Sequence, residues 1–536
     1  MGTEKRKGSF VKQAAILAAA GLLVRVMGFL YRLPLTALIG DEGNGIYAAG
    51  YYIYQFMLIV SSAGLPAAIS RMVSERLALG QKANAHKVFR VAMAISAGVC
   101  FVAMMALLLF GRRLCAALQY DRSYYCILTL APTLLIVGIL SVYRGYFQGM
   151  HTMVPTAISQ LVEQLFNAVF SVLLAYLLAG KGVEYGAAGG TAGTGVGALA
   201  GLGVVAFAYA LIRPRLLRGV ERDVSDAPRE TNREIARLLI RTAVPIIVGT
   251  ALFSISNLSD MFMVKSRLMA SGAFTEARAE ALYGQLSGKY ATLTTLPVAI
   301  STAMATAAIP SIAASVAQRN KQAVDEKINT TFRVGMLISI PAAVGIGVLG
   351  DPIIRMLFPS YAEGGVLLTV GAFSIVLLAL SQIITGILQG IGRLRIPMIG
   401  ALCGLVVKII CNYFLIGIPD LNVVGAVLAT TACYLVAVIV NMTMLVRETG
   451  AHLDFMGGFI KPAIASAGMG VGCLLVYKLL VRVAGSNTLG VLASILVSMA
   501  VYFALLLLLR AANRDDILLL PMGGRLVRVL ERRHLL

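Results

Sequence analysis

The 536-residue chain has no tryptophan, only four histidines and only 13% charged residues. A soluble domain is about a quarter charged, so a water-facing surface of ordinary extent is excluded. The four histidines are scattered without zinc-ligand spacing, and no metal site is expected. Seven cysteines supply neither a metal set nor a disulfide framework. Cys100, Cys403, Cys411, Cys433 and Cys473 lie inside apolar runs and read as small buried hydrophobes. Cys115 and Cys126 flank one predicted outer loop, where pairing stays open. Acidic residues are scarce, 25 against 46 Lys and Arg, for a formal net charge of +21. That balance alone would admit nucleic acid as a partner. The basic residues, however, fall in short clusters between apolar runs, which suits an anionic inner leaflet and not nucleic acid.

What the chain has in abundance is apolar surface, 58% of its residues, in long runs that recur to the end. A transmembrane β-barrel would show alternating segments of about ten residues instead. The expected fold class is therefore all-α and polytopic, with about fourteen spans of roughly twenty residues. They fall near 12–38, 45–70, 88–110, 123–147, 155–179, 185–211, 239–264, 283–312, 329–350, 363–390, 396–418, 423–446, 457–481 and 488–510. The first run follows Lys5-Arg6-Lys7 and imitates a signal peptide, but it carries Arg25 and Arg32 and precedes thirteen more spans. It reads as a retained first helix.

Basic loops orient the spans. With the amino terminus cytoplasmic, inside segments hold 32 Lys or Arg and outside segments 11. Both termini are then cytoplasmic in a cell membrane. No loop is long enough for a catalytic domain. The segment 213–238 is a basic cytoplasmic linker, with Thr231-x-x-Glu234 as a capping box opening an amphipathic helix on the membrane surface. The tail 512–536 is similarly basic.

An internal repeat is the most informative feature. Phe89-Arg-Val-Ala-Met-Ala-Ile-Ser96 matches Phe332-Arg-Val-Gly-Met-Leu-Ile-Ser339, six identities in eight at an offset of 243. Gly145-Tyr-Phe-Gln148-Gly149, followed by Pro155, matches Gly386-Ile-Leu-Gln389-Gly390, followed by Pro397. Leu65-Pro66 matches Ile309-Pro310, and Asn167 matches Asn412. The near-constant offset spans six helices, so 1–212 and 239–446 are two six-helix lobes, with helices 13–14 appended over 447–511. Copies with an even number of spans re-enter on one face and are parallel. Such lobes enclose a cavity and alternate access by rocking, which is a transporter's architecture and not an enzyme's.

Two six-helix lobes plus two helices, with the run Tyr143-Arg-Gly-Tyr-Phe-Gln-Gly149, resemble the multidrug/oligosaccharidyl-lipid/polysaccharide (MOP) exporter superfamily. Within it the chain is most similar to the stage V sporulation protein B and MurJ-like lipid II flippases, over essentially its whole length. Val24-Arg25-Val-Met-Gly-Phe29 resembles the arginine-bearing first helix of the MurJ proteins. The resemblance implies export of a lipid-linked oligosaccharide on undecaprenyl diphosphate, with spans 13–14 offering a groove for the lipid tail. Membrane lipids and the cell-wall synthesis machinery are the other implied partners. No cofactor is implied. Ser61-Ser62-Ala63-Gly64 stands where MurJ proteins tend to carry an arginine in span 2.

Charges inside the bilayer cost about 2.5–3.5 kcal/mol each on insertion scales, so every one needs a reason. Arg25 and Arg32, seven apart, share a helix face. Their guanidinium forks suit a diphosphate, against snorkelling or internal pairing as the alternatives. Arg144, at the cytoplasmic end of span 4, is either a positive-inside anchor or a diphosphate receiver. On span 5, Ser159, Glu163 and Asn167 form a polar stripe with Gln160 and Gln164 beside it. Glu163 reads as half of a structural ion pair, or as a gate or, with Asn167, a substrate contact. Asn257 and Asp260 in span 7 suit ion or proton coupling, or a helix–helix hydrogen bond. The resemblance implies a sodium site in some MurJ-type proteins, for which Asp260, Asn412 and Thr430 are the matching candidates. Lys408 stands at the fourth position and would repel sodium. Gly193-x-Gly195-x-Gly197-x-x-x-Gly201 superficially resembles a nucleotide fingerprint, but no strand precedes it, and close helix packing is the reading.

Two other functions compete with lipid-linked sugar export. A cation-coupled multidrug exporter calls for an acidic or aromatic pocket, whereas the span 1 charges are positive. A membrane glycosyltransferase needs a large outer loop or an acidic loop cluster, and the sequence has neither.

Overall fold

A computed structural model describes residues 2–221, 229–393, 395–450 and 453–509. Without water, an apolar run must satisfy its backbone hydrogen bonds internally, and these runs do so as helices. In chain order they are α1 (Gly2–Ser62), α2 (Leu65–Ala78), α3 (Lys82–Ala117), α4 (Tyr124–Gly149), α5 (Val154–Ala179), α6 (Val183–Glu221), α7 (Asn232–Ala270) and α8 (Glu276–Gly284). There follow α9 (Ala291–Ala317), α10 (Lys321–Val348), α11 (Gly350–Leu357), α12 (Gly365–Gly390), α13 (Arg395–Leu415), α14 (Asn422–Thr449), α15 (Lys461–Ala484) and α16 (Asn487–Leu508). No strand occurs among the described residues. The basic tail 512–536 lies outside them.

Among the described residues, twelve helical segments are long and apolar enough to cross a membrane. One of these, Ala19–Ala78, is 60 residues long. At 1.5 Å per residue it would reach about 90 Å, three times a hydrocarbon core of about 30 Å. Gly40, with φ 70° and ψ −175°, turns the chain inside it. The twelve stand near the fourteen expected: the longest holds two arms divided at Gly40, and the 27-residue α9 lies in the eighth expected span. The first two spans are not joined by an exposed loop. Asp41 and Asn44 are buried, and Asn44 donates to the Gly40 carbonyl at 2.8 Å, which holds the turn closed.

Other details of the sequence reappear. The capping box forms: Thr231 N–H donates to the Glu234 carboxylate at 2.7 Å, and Glu234 N–H to the Thr231 hydroxyl at 3.2 Å. It opens α7 itself. The linker has no separate surface helix among its described residues, because α6 continues to Glu221 and α7 begins at Asn232; residues 222–228 lie outside the described set. Before α7 the chain is tied down at Glu230, whose carboxylate takes Arg76 at 2.6 Å. The second span breaks before Pro66, which sits in the first turn of α2, where its missing N–H costs nothing. In the eighth span a π-helical turn, Gln285–Tyr290, leads into α9.

The chain divides into two compact units, Met1–Ser266 with Thr275–Gly284, and Arg267–Phe274 with Gln285–Leu536. In the first, Leu65, Ile69, Met72, Val88, Phe89, Tyr146 and Leu239 form one core across α2, α3, α4 and α7. In the second, Ile312, Ile328, Phe332, Met336, Ile383 and Ile387 do so across α9, α10 and α12. The duplicated motifs occupy matching places. Gly145 and Gly149 of α4 close on Pro66 and Val73 of α2, and Gly386 and Gly390 of α12 close on Ala305 and Ile312 of α9. Five helix pairings of the first unit recur in the second. α2–α3, α2–α4, α3–α4, α4–α6 and α5–α6 correspond to α9–α10, α9–α12, α10–α12, α12–α14 and α13–α14.

The φ and ψ of Gly40 lie where a Cβ is not accommodated, so Gly40→Ala is expected to cost about 1–3 kcal/mol. Thermal unfolding in detergent measures this; an unchanged midpoint would mean that the two arms do not depend on this turn.

Candidate functional site

Four elements of the first unit position its intramembrane polar residues. On α5 the polar stripe lies under the glycines of α6: a Cβ at Gly193 would run into Ser171, at Gly197 into Asn167, and at Gly201 it would stand 3.1 Å from the Glu163 Cβ. Small residues thus bring two backbones together over a polar seam. Glu163 takes the Arg144 guanidinium at 2.6 Å, and Arg144 Nε also donates to the Ser159 hydroxyl at 2.9 Å. Asn167 accepts from Ser171 at 2.9 Å and from Thr194 at 3.5 Å. Arg144 is therefore an internal ion-pair partner linking α4 to α5, and the structural pair foreseen for Glu163 has α4 as its other half.

The first arm of α1 runs beside this stripe. Gly28, whose Cβ would lie 3.5 Å from the Gln164 amide, shares its face with Arg25 and Arg32 at helical spacings of three and four. Arg25 is exposed and makes no hydrogen bond or ion pair with any described residue. Arg32 is half-buried, with its guanidinium 5.3 Å from the centre of the Tyr47 ring. Tyr31 and Tyr51 pack beside it against Leu35, Tyr47 and Cys126. Asn257 is exposed and Asp260 half-buried on α7, with Asp260 in electrostatic range of Tyr52.

A second cluster, not foreseen, sits at the end of this unit that the basic-residue bias assigns to the outer face. Arg122 pairs with Glu42, with Glu184 at 2.9 Å and with Glu280 at 3.3 Å. Lys265 pairs with Glu276 and Glu280, each at 2.7 Å, and lies 4.5 Å from the Tyr120 ring centre. Glu280 is wholly buried, and burial pushes its carboxyl above the usual range, against the pull of Lys265 and Arg122. Gly45 and Gly284 make the close approach possible: a Cβ at either would overlap the carbonyl oxygen of Glu280 or of Asp41. The sequence hides this cluster because its members are spread from residue 42 to residue 280. The only local signal is charge next to glycine at the span ends.

In the second unit, Lys408 and Asn412 are 2% and 0% exposed, one turn apart on α13. Lys408 is thus shielded from lipid. Thr430 is half-buried on α14, which packs against α13. The five coupling candidates divide between the units, Asn257 and Asp260 in the first and Lys408, Asn412 and Thr430 in the second. An apolar cavity of about 380 Å³ opens between α10, α15 and α16, lined by Ile338, Pro341, Met469, Ile495, Met499 and Tyr502 among others.

All seven cysteines are free, and Cys115 and Cys126 are each fully buried. The burial expected of Cys403 and Cys411 is corrected: Cys403 is exposed and Cys411 half-buried. Their neighbours Ile399, Leu402, Val406, Ile409 and Ile410 are exposed too. No described part of the chain covers this apolar face of α13. Among the described residues no three metal-ligating side chains cluster.

Solved structures share this architecture. Lipid II flippase MurJ in an inward closed conformation matches with a TM-score of 0.68 over 92% of this chain and 98% of that one, at 15% identity. A multidrug resistance MATE transporter of the MOP superfamily, inward-facing, matches at 0.66 over 81% and 98%, at 19% identity. The fold is that of the MOP-superfamily transporters, and this is a multi-pass membrane protein. Residues 10–316 match the family described as polysaccharide biosynthesis protein, and residues 288–414 match MatE. The chain belongs to the polysaccharide biosynthesis protein family. Stage V sporulation protein B of Bacillus subtilis is 27% identical, covering 97% of this chain and 99% of that protein. Lipid II flippase MurJ of the same organism is 26% identical over 89% of each.

The buried ion pairs yield a prediction. Glu280→Leu leaves Lys265 buried with only the half-exposed Glu276, and breaking one side of such a pair typically costs about 3–5 kcal/mol. Removing both charges in Lys265→Met/Glu280→Leu should recover most of that loss. A double-mutant cycle on thermal stability measures the coupling; additive losses would show the two charges to be independent.

Proposed function

We propose that this protein is a flippase rather than an enzyme, translocating an undecaprenyl-diphosphate-linked cell-wall precursor, lipid II or a related lipid-linked oligosaccharide. It works by alternating access between the lobes 1–212 and 239–446, in a cell membrane with both termini cytoplasmic. The observation that carries this reading is Arg25. It is an intramembrane guanidinium, exposed beside a polar seam, whose charge no described residue neutralises. A permanent cation placed so needs an anion, and a fork of donors fits a diphosphate. Two further observations support it. The apolar cavity between α10, α15 and α16 suits a branched prenyl chain, and a relative over 89% of the chain is named a lipid II flippase. A multidrug exporter of organic cations is less well served by a positive first helix.

Arg32 adds a second positive group to the substrate face. Glu163, Asn167 and Arg144 shape that face from behind, through the hydrogen bonds that fix α4 and α5. Lys408 serves as a tethered cation in place of a sodium ion, beside Asn412 on α13, and Asp260 with Asn257 on α7 are the coupling candidates of the first unit. Cell-wall synthesis enzymes are the natural partners, since the substrate is made on one side and consumed on the other.

Depletion in the native host should make a lipid-linked precursor accumulate on the inner leaflet; an unchanged pool with drug hypersensitivity would favour the multidrug exporter. Arg25→Ala should abolish complementation at normal membrane abundance, and Arg25→Lys should restore only part, because the fork is lost. Full activity of Arg25→Ala would remove the basis of the proposal. In liposomes, replacing sodium by a large organic cation should leave flipping unchanged; strong sodium dependence would rule out the role given to Lys408.

A further inference from the structure

We propose that Tyr51 and Tyr52, on the second arm of α1, form a stacking platform for a sugar ring of the substrate, next to the arginines that hold its diphosphate. This rests on the flippase reading above and assigns the recognition of the carbohydrate within it. The stretch Tyr47-Ala-Ala-Gly-Tyr51-Tyr52-Ile-Tyr54 puts four phenols into eight residues of an intramembrane helix. A phenol hydroxyl is costly in hydrocarbon unless it finds a partner, so a lipid-facing helix has no use for such a run. The rings face the interior of the first unit: Tyr51 packs on the core formed by Leu35, Tyr47, Cys126 and Ala188.

The cluster has a fixed base and an accessible top. Tyr47 and Tyr54, 1% and 2% exposed, are locked into the protein. Tyr51 stacks on Tyr47 with centroids 5.9 Å apart and planes 15° from parallel, and stands 6.0 Å from Tyr54. Tyr52 meets Tyr51 edge-on at 6.4 Å. Tyr51 and Tyr52 are themselves only half-buried. Rings held this way have little rotamer freedom left to lose on binding.

Chemistry selects the ligand. The axial C–H groups of a pyranose, polarised by neighbouring oxygens, meet the negative face of a ring, while its hydroxyls reach phenols and carboxylates. Both kinds of partner are present. The phenols are those of Tyr51 and Tyr52 themselves, and the Glu163 carboxylate stands on the polar stripe of α5, beside which the first arm of α1 runs. An organic cation is the other usual guest of an aromatic cluster. Here Arg32 already lies over Tyr47, and its charge repels a second cation. A neutral sugar attached to an anionic diphosphate satisfies both halves of the site.

The test uses purified full-length protein in detergent and two probes, a short-chain prenyl diphosphate that is bare or carries an N-acetylated amino sugar. Calorimetry should show wild type preferring the sugar-bearing probe by roughly tenfold, equivalent to about 1.4 kcal/mol. Tyr51→Leu/Tyr52→Leu should abolish that preference and leave affinity for the bare probe unchanged. Tyr51→Phe/Tyr52→Phe, which keeps the rings and guards against a misfolded double variant, should retain most of it. Equal binding of the two probes by wild type, or a preference that survives in the leucine variant, overturns the platform while leaving the flippase reading standing. Failure of wild type to bind either probe removes the flippase reading and the platform together.

Discussion

A charge in hydrocarbon must be paired, hydrated or matched to a ligand, and the first unit is arranged around that constraint. Glu163 could not stand on α5 without Arg144, and Arg144 could not leave the membrane surface without Glu163 and Ser159. At the other end, two cations and four carboxylates form a closed cluster around the wholly buried Glu280. Once those groups are accounted for, Arg25 and Arg32 differ from the rest. One has no ion-pair partner among the described residues, and the other has only an aromatic face. The helices could pack apolar surface in many registers. The ionic contacts admit few.

Glycine is what allows the polar seams to exist. Small residues let two helix backbones approach closely enough for short polar side chains to meet. Gly193, Gly197 and Gly201 lower α6 onto the polar stripe of α5, and Gly45 and Gly284 join α1 to α8 at the carbonyl level.

Much of this was legible in the sequence, for identifiable reasons. The spans were readable because each run is apolar over its whole length. The capping box at Thr231 and the packing role of the Gly193–Gly201 run are local patterns with local causes. The ion cluster around Arg122 and Glu280 was not readable, because tertiary structure assembles it from five separate segments. Nor was the continuous turn at Gly40. Asp41, Glu42 and Asn44 look like an exposed loop, and only their neighbours reveal that Glu42 pairs with Arg122 and Asn44 donates to Gly40 within the protein. The tyrosine run of α1 was in plain view, but its geometry around Arg32 depends on the bend between the two arms.

The repeat gives a last step, because its copies share a scaffold and differ in charge. The offset that aligns Gly145 with Gly386 aligns Arg144 with Thr385, and the one that aligns Asn167 with Asn412 aligns Glu163 with Lys408. A neutral pair in the first copy is thus a hydroxyl and a buried cation in the second. Thr385 carries no charge, so the second copy has no counterpart of the Arg144–Glu163 pair at these two positions. The helix pairings stay the same because apolar cores and glycine contacts maintain them. Charge can therefore diverge between the copies without changing the packing.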